Sequence, residues 1–303
     1  MSGDSRDRAI GAFLGLACGD ALGTTLEFCT RDSRPPVTNL VGGGPFKLKP
    51  GEWTDDTSMA LCLADSLLAN RGFDPHDTMD RFVRWWKTGE NSVTGRCFDI
   101  GITTRDALDR YVRTGNSVSG STDPRTAGNG SLMRLAPVAL AWWRDPREAE
   151  EVARLQSQLT HGATEAVEAC GLFAALLCAA ISGAGKIETL DLVRGAHPAL
   201  GAKLGEQWRT AKRHQIRSSG YVIHTLEAAL WAVHGSESFE HALIAAANLG
   251  DDADTVAAVT GQLAGAIYGW SAIPRAWRSA LAWHDRLLDK AGLLYGLFDK
   301  AAP

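Results

Sequence analysis

A chain of 303 residues, 45% hydrophobic and 22% charged, can bury one large core or two small ones. Its net charge of −4, with no run of Lys or Arg, leaves no electrostatic footprint for a nucleic-acid partner. The opening MSGDSRDRAI lacks the basic and apolar regions of a secretory signal, no uninterrupted apolar run reaches the ~20 residues of a membrane span, and the six cysteines form no CxxC pair, so a cytoplasmic protein with reduced thiols is expected.

The dominant period along the chain is helical. Ile10, Phe13, Leu14, Ala17 and Ala21 recur at three- and four-residue steps. An irregular segment follows over 24–53, interrupted by Pro35, Pro36, Gly42, Gly43, Gly44, Pro45 and Pro50. Helical patterns then cover 54–70, 76–88, 103–114, 131–143, 147–159, 163–182, 220–233, 239–248, 253–268 and 274–290. Alternation suited to a strand is nearly absent, with 36–41 the one weak instance. Most of the ten tryptophans fall in amphipathic helices and read as core. With no repeat of 20–50 residues and no break in composition, the expected fold is one all-α domain over 1–303, a dozen or so helices with functional loops at one end.

Two helices carry small residues at four-residue spacing. Gly11, Gly15, Gly19 and Gly23 mark the first; Ala253, Ala257, Gly261, Gly265 and Gly269 mark the later one. Glycine inside a helix costs about 0.5–1 kcal/mol relative to alanine. A bare stripe offsets that cost where it lets another backbone come close.

Two helices, one of them the later small-residue helix, open on acid clusters. In GEWTDDTSMALCLADSL, Thr54, Asp55 and Asp56 precede an apolar helix; in NLGDDADTVAAVTGQLAG, Asp251, Asp252, Asp254 and Thr255 do the same. Capping and the helix dipole account for one acid at each end, not two or three. Brought together, the two ends would collect mutually repelling carboxylates with raised pKa values unless cations neutralise them. Oxygen ligands without Cys or His select hard cations, Mg²⁺ or Mn²⁺ before Ca²⁺, and two acid pairs can bridge two of them.

Other signals are local. TAGNGSLMR places Gly128, Asn129, Gly130 and Ser131 ahead of a helical pattern, which suits a phosphate and equally an ordinary turn with a cap. There is no GxxxxGK[ST], and no GxGxxG following a strand. Glu27 reads as a solvated acid or a site acid, Asp99 as a turn residue, His161 as a cap of the helix before it, and Tyr221 as a base-stacking or packing ring.

Taken in order, GAFLGLACGDALGTTLEF, WTDDTSMALCLADSL, FDIGITT, GNGSLMR, LTH, SSGYVIHTLEAALW and NLGDDADTVAAVTGQLAGAIYG resemble the ADP-ribosylglycohydrolase family, and more closely its bacterial dinitrogenase-reductase-activating branch. The likeness runs over about residues 8–270. It implies an all-α hydrolase with two divalent metals, Mg²⁺ or Mn²⁺, that cleaves the glycosidic bond between ADP-ribose and an acceptor, often arginine on a protein. Carried onto this chain, it implies metal ligation by Thr54, Asp55 and Asp56 from one side and by Asp252, Asp254 and Thr255 from the other, with Asp251 outside the shell. Asp99 would handle the proton at the bond while water attacks C1 of the ribose, Glu27 being the alternative acid. Gly128 to Ser131 would hold the diphosphate, and His161 and Tyr221 would line the ADP-ribose cleft. The expected partner is an ADP-ribosylated protein or a small-molecule substrate, not a membrane or a nucleic acid, with a monomer as the default state.

Three readings compete with an arginine-directed hydrolase. The acceptor can instead be serine, an ester or another group. A non-catalytic ADP-ribose-binding relative is disfavoured because all six expected ligands are present. A helical diphosphate lyase also places acids on facing helices, but position 59 is Met where a DDxxD pattern needs an acid.

Overall fold

The structure, a computed structural model, describes residues 5–299. Its helices are α1 (Ser5–Gly23), α2 (Asp55–Asn70), α3 (Pro75–Thr88), α4 (Ile102–Thr114), α5 (Ala136–Trp142), α6 (Pro146–Thr160), α7 (Thr164–Ser182), α8 (Lys186–Asp191), α9 (Pro198–Leu204), α10 (Val222–His234), α11 (Phe239–Ala247), α12 (Ala253–Tyr268), α13 (Arg275–Ala280) and α14 (His284–Tyr295). Among the described residues, pairing of extended backbone is confined to isolated bridges. The weak strand pattern at 36–41 forms none, because the glycines at 42–44 all take positive φ and turn the chain there.

The centre of the molecule is the pair α1 and α12. Every residue of α1 from Ala9 to Gly23 is buried, and so is every residue of α12 from Ala253 to Ile267. The two small-residue stripes face each other in opposite directions. A Cβ placed on Gly11, Gly15, Gly19 or Gly23 would stand 2.4, 2.1, 2.0 or 2.3 Å from the carbonyl oxygens of Gly265, Gly261, Ala257 and Ala253. Backbone thus lies on backbone along four helical turns, which explains why glycine is tolerated there. Helices α2, α5, α7, α10, α11 and α14 surround the pair, and α3, α4 and α6 form an outer layer on them.

The outer helices obey the 3.6-residue period. In α3 the buried set is Thr78, Met79, Phe82 and Trp85, and Asp74 caps the N-terminus by accepting from the His76 and Asp77 amides. Two apolar helices, Ser5–Leu26 and Thr164–Ser182, are long and apolar enough to cross a membrane, contrary to the reading from uninterrupted runs. Their Ala, Leu, Phe, Ile and Cys content raises the average, while Gly, Thr and single charged residues interrupt the run. They are 94% and 78% buried within the protein core.

Three segments depart from the expected helices. The pattern over 131–143 becomes a turn through Arg134 before α5 begins at Ala136. The pattern over 274–290 breaks into α13 and α14 at Trp283, whose φ is 56°. That break receives the strand of chain leading to α2: Ala282 N–H donates to Gly51 O (2.9 Å), and Trp283 packs edge-on against Trp53 at 5.2 Å. The short helices α8 and α9 lie in a region where no periodic pattern is long enough to read.

Candidate active site

The N-termini of α2 and α12 meet. Thr54 Oγ1 lies 3.3 Å from Asp254 Oδ2, and Thr255 Oγ1 lies 3.4 Å from Asp56 Oδ2. Glu27, on the turn after α1, and Asp99, on the loop before α4, complete the cluster. Two groups of three carboxylates have ligand atoms within 4.8 Å of one another: Glu27, Asp99 and Asp254, and Asp55, Asp56 and Asp254. Asp254 belongs to both.

Asp55 and Asp56 do not cap their helix, contrary to the simplest reading of the sequence. Asp20, reaching across from α1, does so. Its Oδ1 accepts from Thr54 N–H (2.8 Å) and Oγ1 (2.9 Å), and its Oδ2 accepts from Thr57 N–H (3.0 Å) and Oγ1 (2.6 Å). The capping acid therefore comes from another helix, and the two aspartates of the motif are left for the cleft. Sequence reasoning missed Asp20; its one signal was a lone carboxylate inside an otherwise apolar helix.

Burial and mutual repulsion push these acids up. Burial, then the charges of Asp99, Asp55 and Asp252, raise Glu27 to about 11; burial above all raises Asp99 to about 7. Asp55, Asp56 and Asp254 stand well above the ordinary carboxylate range for the same causes. Glu27 and Asp99 share a hydrogen bond. Glu27 Oε2, Asp56 Oδ1 and Asp254 Oδ1 are buried without a hydrogen-bond partner among the described residues. Among the described residues, no Lys or Arg lines the cavity above them. Orphaned carboxylate oxygens, no cationic side chain and an oxygen-only donor set fit hard divalent cations.

A stability consequence follows for the metal-free protein. These acids hold protons more tightly folded than unfolded, so the fold is most secure when they are protonated and weakens as pH rises, through about 7 for Asp99 and on towards about 11 for Glu27. Chelator-treated protein is expected to show a Tm that falls from about pH 5 to about pH 9, with Mn²⁺ restoring it at the alkaline end. A flat Tm across that range would contradict the buried-acid account.

The remaining expected residues take distinct places. Gly128, Asn129, Gly130 and His161 line a cavity of about 510 Å³, together with Glu27, Asp55, Asp99, Asp252, Asp254 and Thr255. The N–H groups of Gly130 and Ser131 make no hydrogen bond among the described residues, so both remain donors. The Ser131 hydroxyl is turned away, at 2.8 Å from Ser157 Oγ in the core. Asn129 acts as a brace: its Nδ2 donates to Asp252 (2.6 Å) and Thr225 (2.8 Å). Tyr221 does not line the cavity. Its hydroxyl bonds Glu165, its ring packs edge-on against His224, and its backbone bridges to Gly128. Asp251 is exposed and holds the Glu27 turn by backbone bonds, accepting from Phe28 N–H (2.7 Å) and donating to Cys29 O (2.8 Å).

His161 sits at the end of α6, where its N–H donates to Ser157 O. Arg134 Nη2 donates to Thr160 Oγ1 (2.9 Å), and Thr160 Oγ1 lies 2.8 Å from His161 Nδ1. With the hydroxyl accepting from the guanidinium and its own proton directed at Nδ1, we assign the histidine proton to Nε2. Burial and the Arg134 charge push the imidazole down to about 3, so it stays neutral. Glycine at 128 and 130 leaves room for the ring: a Cβ at Gly130 would stand 2.7 Å from His161 Cε1. Gly130 and His161 thus bring N–H donors to the cavity wall beside the acids, with the buried Ser131 next to Gly130 in the chain.

An all-helical protein with an oxygen-only acidic cleft between two helix N-termini, and N–H donors beside it, is built to hold hard cations and an anionic, hydroxyl-bearing substrate. Comparison with known proteins gives this class its family. A family model described as ADP-ribosylglycohydrolase matches residues 1–303. The ADP-ribosylarginine hydrolase Tri1 of Pseudomonas putida (strain GB-1) is 52% identical over 97% of this chain and 79% of its own length. The ADP-ribosyl-[dinitrogen reductase] glycohydrolase of Rhodospirillum rubrum is 35% identical over 97% of this chain and 100% of its own. A solved structure titled ADP-ribosylglycohydrolase-related protein complex superposes with a TM-score of 0.85 at 45% identity, covering 97% of this chain and 99% of that one. The chain belongs to the ADP-ribosylglycohydrolase family, and is an enzyme that hydrolyses glycosidic bonds to ADP-ribose.

Proposed function

We propose that this chain removes ADP-ribose from arginine side chains of modified proteins, using two divalent ions, Mg²⁺ or Mn²⁺. The observation that carries the metal reading is the triad of Asp55, Asp56 and Asp254, in which Asp56 Oδ1 and Asp254 Oδ1 have no hydrogen-bond partner among the described residues; the second triad shares Asp254 and brings in Glu27 and Asp99, the acids kept for the proton. Asp55, Asp56, Asp252 and Asp254, with Thr54 and Thr255 beside them, would hold the ions. When bound, such ions orient the ribose hydroxyls and acidify water. Arginine as acceptor is supported by the likeness to two hydrolases named for ADP-ribosylarginine, at 52% and 47% identity.

The chain's own groups then divide the work. Gly130 and Ser131 N–H and His161 Nε2–H bind the diphosphate. Of the two remaining acids, Glu27 is 3% exposed and Asp99 is only partly buried. Asp99 is therefore the group with room to carry a proton to the departing nitrogen, and Glu27 the one that positions it through their hydrogen bond. The six cysteines are all unpaired, which supports a cytoplasmic location. A monomer suffices for this site, since every expected group comes from one chain.

The test is release of ADP-ribose from an ADP-ribosylated arginine peptide, with and without Mn²⁺. Wild-type protein is expected to release it only with metal, and Asp55→Ala to lose release by at least about a hundredfold, beyond what loss of a merely orienting group costs. Release from a serine or ester linkage but none from arginine would keep the chemistry and replace the acceptor.

A further inference from the structure

Phe28 is placed at a cost. Its side chain is 68% exposed, and its backbone φ is +58°, a region that bulky residues rarely enter. The turn is held in that shape by the bond from Phe28 N–H to Asp251 O. The ring meets Phe46 edge-on, with centroids 6.4 Å apart, and Phe46 meets Phe98 at 5.0 Å. Three loops supply these rings: the turn just after Glu27, the turn within 42–48, and the loop just before Asp99. Each of the two acids at the reacting bond is therefore followed or preceded in sequence by a phenylalanine, and Phe46 joins the two. Phe28 also forms part of the cavity wall.

We infer that this aromatic rim receives the guanidinium of the acceptor arginine and sets the preference for arginine over uncharged leaving groups. The inference rests on the function proposed above. Phe28 lines the cavity next to Glu27, with Phe46 and Phe98 packed behind it, so an acceptor joined to ribose on the Glu27–Asp99 side has this ring within reach. A guanidinium is flat, delocalised and weakly hydrated, and it stacks on aromatic faces. Among the described residues no Lys or Arg lines the cavity to repel a guanidinium. A serine oxygen or an ester carbonyl brings neither the charge nor the plane, so the rim has little hold on them.

The experiment compares kcat/KM on one ADP-ribosyl-arginine peptide and one ADP-ribosyl-serine peptide, for wild type, Phe28→Ala, Phe28→Leu and Phe28→Tyr. The arginine-to-serine ratio is expected to fall roughly three- to thirtyfold in Phe28→Ala and Phe28→Leu, through KM on the arginine peptide, the range spanned by exposed and desolvated cation–π contacts. Phe28→Tyr is expected to keep the ratio, because it keeps the ring. If Phe28→Leu keeps the ratio too, the contact is apolar rather than aromatic and the inference is overturned. An unchanged ratio in Phe28→Ala overturns it outright. A wild-type enzyme that cleaves only the serine peptide would instead remove the arginine reading beneath it, an outcome visible before any variant is made. Phe46→Leu, measured in the same way, reports on the rim through a second ring.

Discussion

Asp254→Asn is expected to abolish uptake of both divalent ions and to lower ADP-ribose release by more than about a hundredfold, the upper end of losses for groups that only orient ligands. Asp254 is the carboxylate common to both triads, so its loss takes a ligand from Asp55 and Asp56 and a neighbour from Glu27 and Asp99 at once. The same substitution should strengthen the metal-free fold. Asp254 is buried beside Glu27, Asp252, Asp99 and Asp20, all of which raise its pKa, and its Oδ1 has no partner. Replacing an acid in that setting with a neutral amide takes one member out of the mutually repelling buried cluster, so the chelator-treated variant is expected to melt above wild type at neutral and alkaline pH. Calorimetry with Mn²⁺ and thermal melting in chelator check the two halves. An Asp254→Asn protein that still takes up two ions would remove Asp254 from the centre of the site. One that melts lower than wild type without metal would show that the acids are not in conflict. A variant that is firmer and inactive is the usual sign that a site was kept at the expense of stability.

The second large effect lies on the seam between α1 and α12. Gly261→Ala places a Cβ 1.9 Å from Gly15 O, and Gly15→Ala places one 2.1 Å from Gly261 O. Both obstacles are backbone, so the helices must move apart along their length. Each substitution is expected to cost about 3 kcal/mol or more, at or beyond the upper range for overpacked cores. Alanine for glycine in an ordinary helix does the reverse, adding about 0.5–1 kcal/mol. Gly292→Ala in α14 supplies that comparison, because its Cβ would meet only the end of the Arg6 side chain, at 3.3 Å. Chemical denaturation of the three variants gives the contrast. Equal effects at Gly261 and Gly292 would mean that the seam is looser than backbone contact.

Much of this was legible in the sequence, for physical reasons that can be named. The helices α3, α4, α6 and α7 show amphipathic or continuous apolar patterns of twelve or more residues, which only a helix buries consistently. The two acid clusters read as a site because acids exceed what capping requires. What was not legible depended on tertiary partners. The glycine stripes predicted a close approach but not their mutual pairing. The cap on α2 comes from Asp20, thirty-four residues upstream, so local spacing assigned that role to Asp55 and Asp56. The break at Trp283 exists to accept the chain around Gly51 and Trp53, and the helical period across 274–290 carries no trace of it. Ser131 and Tyr221 have the right neighbours in sequence, yet their hydroxyls are engaged by Ser157 and Glu165. The role of Thr160 in fixing the histidine tautomer needed coordinates, since it depends on a guanidinium from a different turn of the chain.

The seam also dictates when the molecule can come into being. Gly15 and Gly261 are about 250 residues apart, yet each is the other's nearest backbone neighbour across the helices. During synthesis at roughly 5–20 residues per second, α1 leaves the ribosome on the order of ten to fifty seconds before its partner exists. Through that interval its apolar and glycine-lined surfaces have no native cover. The acid at position 20 likewise waits for α2 with its carboxylate unmatched. A chain whose first helix completes its packing only with one of its last is bound to fold late and as a whole, with slow, non-local closure. The nascent chain is therefore expected to need shielding during translation, and truncation before α12 is expected to yield an insoluble product and not a smaller working enzyme.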